Sequence, residues 1–176
     1  MNVTFLLPLL PMAVYAAGSV RELGVGDALP TLRGQFLSGR PAALPEAASG
    51  KIALLLLGFT YDSRFQVEGW GKQFRAQFGT DPRVTFYEVP MIGGLARMGK
   101  WFIDSGMRKG TPKSDYEHVI TVYGGTDAWK QRVGFKDPNA AYLILLDPSG
   151  KVAWRHAGGL ENQAYDALSA EVAKLR

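Results

Sequence analysis

Between Gly50 and Gly58 the chain reads Lys-Ile-Ala-Leu-Leu-Leu-Leu, an unbroken apolar run short for a helix and bounded by glycine at each end. A strand with one wet face alternates apolar and polar residues, so this run fits a strand buried on both faces of a parallel sheet. Layers must cover it on both sides, which requires an α/β architecture. A second run, Ala141 to Leu146 (AYLILL), is apolar throughout as well.

The segments between and around these runs supply the other elements. Ser63 with Gln66 three residues later has capping-box spacing, and Val67, Trp70, Phe74 and Phe78 then recur at helical intervals up to Gly79. Arg83 to Val89 alternates as a strand closed by Pro90. Gly93 to Gly110 carries Leu95, Met98, Trp101 or Phe102, and Met107 among Arg97, Lys100, Arg108 and Lys109, the pattern of an amphipathic basic helix. Glu117 to Tyr123 reads as a strand, and Thr126 to Val133 as a short helix capped by Thr126. Asp147-Pro148-Ser149-Gly150 turns the second apolar run back into the alternating Lys151 to His156, giving an antiparallel hairpin. Glu161 to Leu175 closes the chain as a helix with Tyr165, Leu168, Val172 and Leu175 on one face.

The sequence contains no cysteine, which removes thiol nucleophiles, redox pairs, Cys-ligated zinc and iron–sulfur clusters from the chemistry available to it. Its 176 residues are 47% hydrophobic and suffice for one core without disulfides or a structural metal. The net charge of +4 comes from scattered positive residues rather than a stripe, so nucleic acid is not an expected partner.

Residues 1–16 carry no charged side chain, and their apolar stretch runs into Val14-Tyr15-Ala16, a small-x-small step suited to signal peptidase. An export signal cut after Ala16 is expected. The competing reading is a retained membrane anchor, but Pro8 and Pro11 interrupt the roughly 20-residue helix that spanning requires. Residues 17–49, rich in Gly, Pro and Ala, read as an extended lead-in with a hairpin, and residues 50–176 as the folded domain. Export usually goes with disulfides in small proteins, so an exported chain without cysteine has either lost that chemistry or never had it.

The order strand, helix, strand, helix, strand, helix, strand-turn-strand, helix resembles the thioredoxin fold in its exported, redoxin-like form. The resemblance is carried by Leu54 to Ser63, by AYLILLDPSGKVAWRHAGG from Ala141 to Gly159, and by the closing helix. It implies a three-layer sandwich around a mixed central sheet ending in the antiparallel hairpin. The family keeps a Cys-x-x-Cys pair after the central strand, where this chain has Thr60-Tyr61-Asp62-Ser63-Arg64-Phe65-Gln66. It also keeps a cis-proline before the hairpin, where this chain has Ala140 or Ala141, Pro138 lying too early. Gly58-Phe59-Thr60 is similar to the copper-delivering assembly factors of cytochrome oxidase, but Asp62 and Gln66 cannot supply the soft thiolates that copper(I) requires. Val89-Pro90, the basic aromatic segment at Trp101-Phe102 and the Ala141-to-Asp147 strand resemble the peroxiredoxin-like ATP synthase assembly factors.

This likeness implies a non-redox protein of the cell envelope, periplasmic or otherwise exported, that acts by binding as an assembly or chaperone-like factor, without cofactor or metal. The alternatives are a redoxin-type oxidoreductase or a cysteine-independent enzyme using the Asp62 loop. The expected partner is a protein, such as a membrane complex, with contact to the membrane surface also open. Candidate partner-binding residues are Tyr61, Asp62 and Arg64 in the loop, and Arg97, Lys100, Trp101, Phe102 and Arg108 in the basic segment. As an enzyme group Asp62 would use the positive end of the helix, whereas in the plainer reading Asp62 and Ser63 only cap it. His118 and His156 stand at no metal-ligand spacing and are expected as surface histidines.

Overall fold

Strand β3 (Ile52–Gly58) is buried along its whole length and organises the molecule. The computed structural model describes residues 20–176, apart from the side chains of Leu95 and Arg97. The export signal expected over residues 1–16, and the basic side chain expected at Arg97, lie outside the described residues. β3 pairs in parallel with β4 (Val84–Pro90) and antiparallel with β6 (Ala141–Leu146), which turns back into β7 (Val152–Gly158). The central sheet is thus mixed, in the order β4-β3-β6-β7.

Alternate side chains of β3 feed two cores. Ile52, Leu54 and Leu56 pack under Val67, Trp70, Phe74 and Phe78 of α1 (Arg64–Phe78) and Tyr165, Leu168 and Val172 of α4 (Asn162–Leu175). Ala53, Leu55 and Leu57 face the opposite layer, built from α3 (Thr126–Val133) and a small sheet. Burying each leucine or isoleucine stabilises by roughly 1.5–3 kcal/mol. The small sheet, in the order β2-β1-β5, consists of β1 (Leu32–Phe36), β2 (Pro41–Leu44) and β5 (Ile120–Thr121). The lead-in therefore contains the expected hairpin, which also covers one face of the core.

Several local expectations fail. Ser63 makes no side-chain cap to the first turn of α1; its buried hydroxyl accepts from the Thr60 amide at 3.2 Å and donates to the Thr60 carbonyl at 2.8 Å. Asp62 does not cap the helix either, since its carboxylate takes no hydrogen bond among the described residues. Thr126 is not the cap of α3; Gly125 holds that position in a left-handed conformation. The strand expected over Glu117 to Tyr123 shrinks to β5, because Lys113–His118 forms a 3-10 turn. Val119 and Val122 then bridge singly to Glu88 and Met91, so this segment ties the small sheet to the edge of the large one.

The basic segment departs furthest. It splits into a 3-10 turn at Gly94–Gly99 and helix α2 (Lys100–Gly110). Met98, Trp101 and Phe102, candidates for its apolar face, are 82%, 81% and 76% exposed. The buried residue of α2 is Asp104, whose carboxylate accepts from Tyr123 Oη and from Lys100 Nζ, each at 2.6 Å. A polar clamp, rather than an apolar stripe, holds this helix to the domain.

Candidate functional site

A cleft of about 760 Å³ opens between the loop entering α1, the end of β4 and the inner side of α2. Its walls are largely apolar, with Val67, Met91, Ile103 and Met107 along the sides and Tyr61 and Phe102 at the mouth. The loop is held in shape by Thr60, whose hydroxyl donates to the Pro138 carbonyl at 2.6 Å and accepts from the Ser63 amide at 3.1 Å. The segment before β6 thus faces this loop although its peptides are trans; the cis peptide bond among the described residues is Leu44–Pro45.

Tyr61 is 71% exposed, and the Arg64 guanidinium lies over its ring at 3.9 Å and over Phe65 at 4.5 Å. Arg64 is therefore stacked between aromatics, where cation–π attraction and the rings' flat surfaces favour it. Tyr61, Arg64 and Phe102 all line the cleft. Asp62 and Trp101 do not line it. Lys100 and Arg108 are committed elsewhere: Lys100 Nζ also donates to Gln35 Oε1 at 2.7 Å, and Arg108 Nε donates to the Leu37 carbonyl at 2.8 Å. Their charges anchor α2 onto β1 and the residue after it, which removes them from the freely presented basic face expected from the sequence.

Two acidic residues that sequence reasoning missed belong to the cleft, Glu88 on β4 and Glu68 on α1. Val84 and Phe86 point from β4 into the core beneath α1, and Glu88 continues that same alternating stripe. A carboxylate at the third inward position of an alternating strand was the signal available in the sequence. Burial in apolar surroundings pushes the Glu88 carboxyl up to about 7, and the Glu68 carboxylate adds to the effect; Arg75 opposes it and Asp115 reinforces it. Glu88 takes no hydrogen bond from a described side chain, and the Arg75 guanidinium is paired with Asp115 at 2.7 Å.

Both histidines are half-buried and pack against aromatic rings. His118 stacks on Phe86 with centroids 4.8 Å apart, and its Nδ1 lies 3.0 Å from the Phe86 carbonyl. His156 sits between Trp70 and Trp154 at centroid distances of 5.5 and 5.7 Å, and burial lowers its pKa. Among the described residues no group of three or more acidic or histidine side chains is placed to hold a metal.

No protein-family profile and no curated protein sequence matches the chain. Solved structures do. The exposed lipoprotein thioredoxin of Streptococcus pneumoniae superposes with a TM-score of 0.57 at 16% identity, over 83% of this chain and 100% of that one. BsSco, of the Sco family of cytochrome c oxidase assembly proteins, gives 0.58 at 15% identity, over 88% and 96%. A peroxiredoxin-like protein from Aquifex aeolicus gives 0.56 at 20% identity, over 88% and 89%. The fold is thioredoxin-like, carried by a chain without cysteine.

Proposed function

We propose that this protein is a non-redox thioredoxin-fold protein of the cell envelope that works by binding a protein partner, as an assembly or chaperone-like factor. The observation that carries this reading is the cleft itself: beside the loop where the fold's redox members keep their thiols, it has aromatic side chains exposed at its mouth. Large exposed aromatics next to an apolar groove are the usual anchors of protein contacts. An exposed lipoprotein thioredoxin and a cytochrome oxidase assembly protein among the structural neighbours support the envelope setting and the assembly role. The narrower likeness to ATP synthase assembly factors rests on the sequence motifs alone. An enzyme built on Asp62 is not favoured, because Asp62 stands outside the cleft.

Affinity capture from envelope extracts, with wild type and a folded Tyr61→Ser, Phe102→Ser double variant, tests the reading. A partner retained by wild type and lost by the variant is expected; equal recovery by both overturns it. Contact with the membrane surface is a separate part of the reading, supported by the exposure of Met98 and Trp101, with Lys109 exposed further along the same helix as Trp101. It predicts that Trp101→Ser lowers co-sedimentation with anionic vesicles, and unchanged co-sedimentation removes it.

A further inference from the structure

Resting on the binding reading above, we infer that the cleft receives a lysine or arginine side chain presented by an apolar stretch of the partner, its cation seated on Glu88 and Glu68. Four observations lead there. Glu88 stands on the inner stripe of β4 and lines a cleft whose other deep walls are Val67, Met91, Ile103 and Met107, so its carboxylate has little local compensation. Arg75, the cation acting on Glu88, is paired with Asp115, and Arg64, the cation that lines the cleft, lies over the rings of Tyr61 and Phe65. Glu68, exposed on α1, supplies a second carboxylate nearer the mouth. Finally, α1 carries Gly71 where a Cβ would stand 2.8 Å from Glu88 Oε1, so the helix leaves room for the carboxylate at the expense of its own propensity.

Lysine and arginine match this shape because their methylene stems pack along apolar walls while the charged head reaches a polar partner. A peptide segment suits the surroundings better than a small amine, since exposed apolar side chains continue beyond the cleft at Phe65, Met98 and Trp101. Their surface is covered only by an occupant longer than the cleft.

The charge of the floor makes this recognition pH-dependent. Glu88 faces Glu68 and Arg75 of α1 and Asp115 of the 3-10 turn, with Leu56 opposite it on β3. With its carboxyl raised to about 7, Glu88 loses its negative charge, and with it the cation, as the pH falls through neutrality.

The test is selection of a displayed library of random heptapeptides on the full chain, followed by titration of synthetic versions of the enriched sequences. Enriched peptides are expected to carry a basic residue between apolar ones. Replacing that residue by norleucine, or Glu88→Gln in the protein, should weaken binding roughly 10- to 100-fold, and Glu68→Gln by less. Wild-type affinity should rise from about pH 6 to about pH 8, whereas that of Glu88→Gln stays flat. Enriched peptides without a basic residue, or full affinity in Glu88→Gln, overturn the inference yet leave the binding reading standing. If no peptide is enriched, both fall.

Discussion

Glu88 Oε1 lies 2.8 Å from the point that a Cβ on Gly71 would occupy, so the carboxylate fills the notch that the glycine leaves in α1. The other close neighbour of that point, Leu56 Cδ1, is at an ordinary 3.4 Å. In Gly71→Ala the flexible end of Glu88 yields rather than the backbone, and the helix gains up to about 1 kcal/mol in propensity. Thermal unfolding should show an unchanged or raised Tm. The displaced carboxylate regains water, so the pH step in ligand affinity should move below neutrality. A marked fall in Tm instead would mean that the space at Gly71 is needed by the backbone of α1.

Glu88 also sets a pH dependence of stability. Its folded pKa of about 7 exceeds the ordinary glutamate value of 4.5, so the native state holds the proton more tightly than the unfolded chain. Its contribution is therefore complete at low pH and is lost as pH rises through the folded value. At about 1.4 kcal/mol per pKa unit, discounted for its partial exposure, the loss is roughly 2 kcal/mol. His156 acts in the opposite direction, since burial favours its neutral form and stability gained there grows as pH rises. Asp27 and Asp81, whose arginine partners hold their carboxyls low, act only in more acid solution. Comparing urea unfolding of wild type and Glu88→Gln at about pH 5 and pH 8 isolates the term: relative to wild type, the variant should be more stable at pH 8 than at pH 5. An equal difference at both pH values would show that Glu88 ionises normally.

Most of the fold was legible because its signals are local. The apolar runs at Ile52 to Leu57 and Ala141 to Leu146 could only be strands covered on both faces, and Val67, Trp70, Phe74 and Phe78 mark one face of α1. The turn after β6 was equally plain, since Asp147 Oδ1 accepts from the amides of Ser149 and Lys151 within the same few residues. Helix α2 misled because its anchor is long-range: Asp104 finds Tyr123, and Lys100 finds Gln35, pairings that no helical spacing encodes. The strand at Glu117 was over-extended for a similar reason, its alternation serving two sheets through single bridges. For the site, Tyr61, Arg64 and Phe102 were singled out by their aromatic and basic character, and all three line the cleft. Glu88 was overlooked although the stripe Val84, Phe86, Glu88 places a charge where the helix lies above.

Disulfide chemistry gives a sharp negative expectation. A thiolate is the nucleophile of dithiol exchange, and the sequence has none to offer. Insulin reduction and peroxide consumption should proceed at the uncatalysed rate with wild type. Turnover that survives mutation of Glu68 and Glu88 would show that the reactive group is neither of the cleft's carboxylates.

The clamp on α2 predicts a local rather than a global defect. Asp104 is buried and receives Tyr123 Oη and Lys100 Nζ, and burial together with this hydrogen bond holds the Tyr123 phenol well above its ordinary pKa. Hydrogen bonds to a buried charged group contribute about 1.5–3 kcal/mol, and Asp104→Asn removes the charge while preserving the shape. Little else of α2 is buried, so the helix should open separately from the two cores around β3. Hydrogen exchange over residues 100–110 should accelerate roughly 10- to 100-fold, with slow exchange retained in β3 and β6. Phe102 and Met107 would then no longer wall the cleft, and affinity for a selected peptide should fall although neither residue was changed. Unaltered exchange in α2 would mean that the helix is held by its contacts at Arg108 and Tyr116 instead, where Arg108 bonds the Leu37 carbonyl and Tyr116 Oη bonds the Arg108 carbonyl at 3.0 Å.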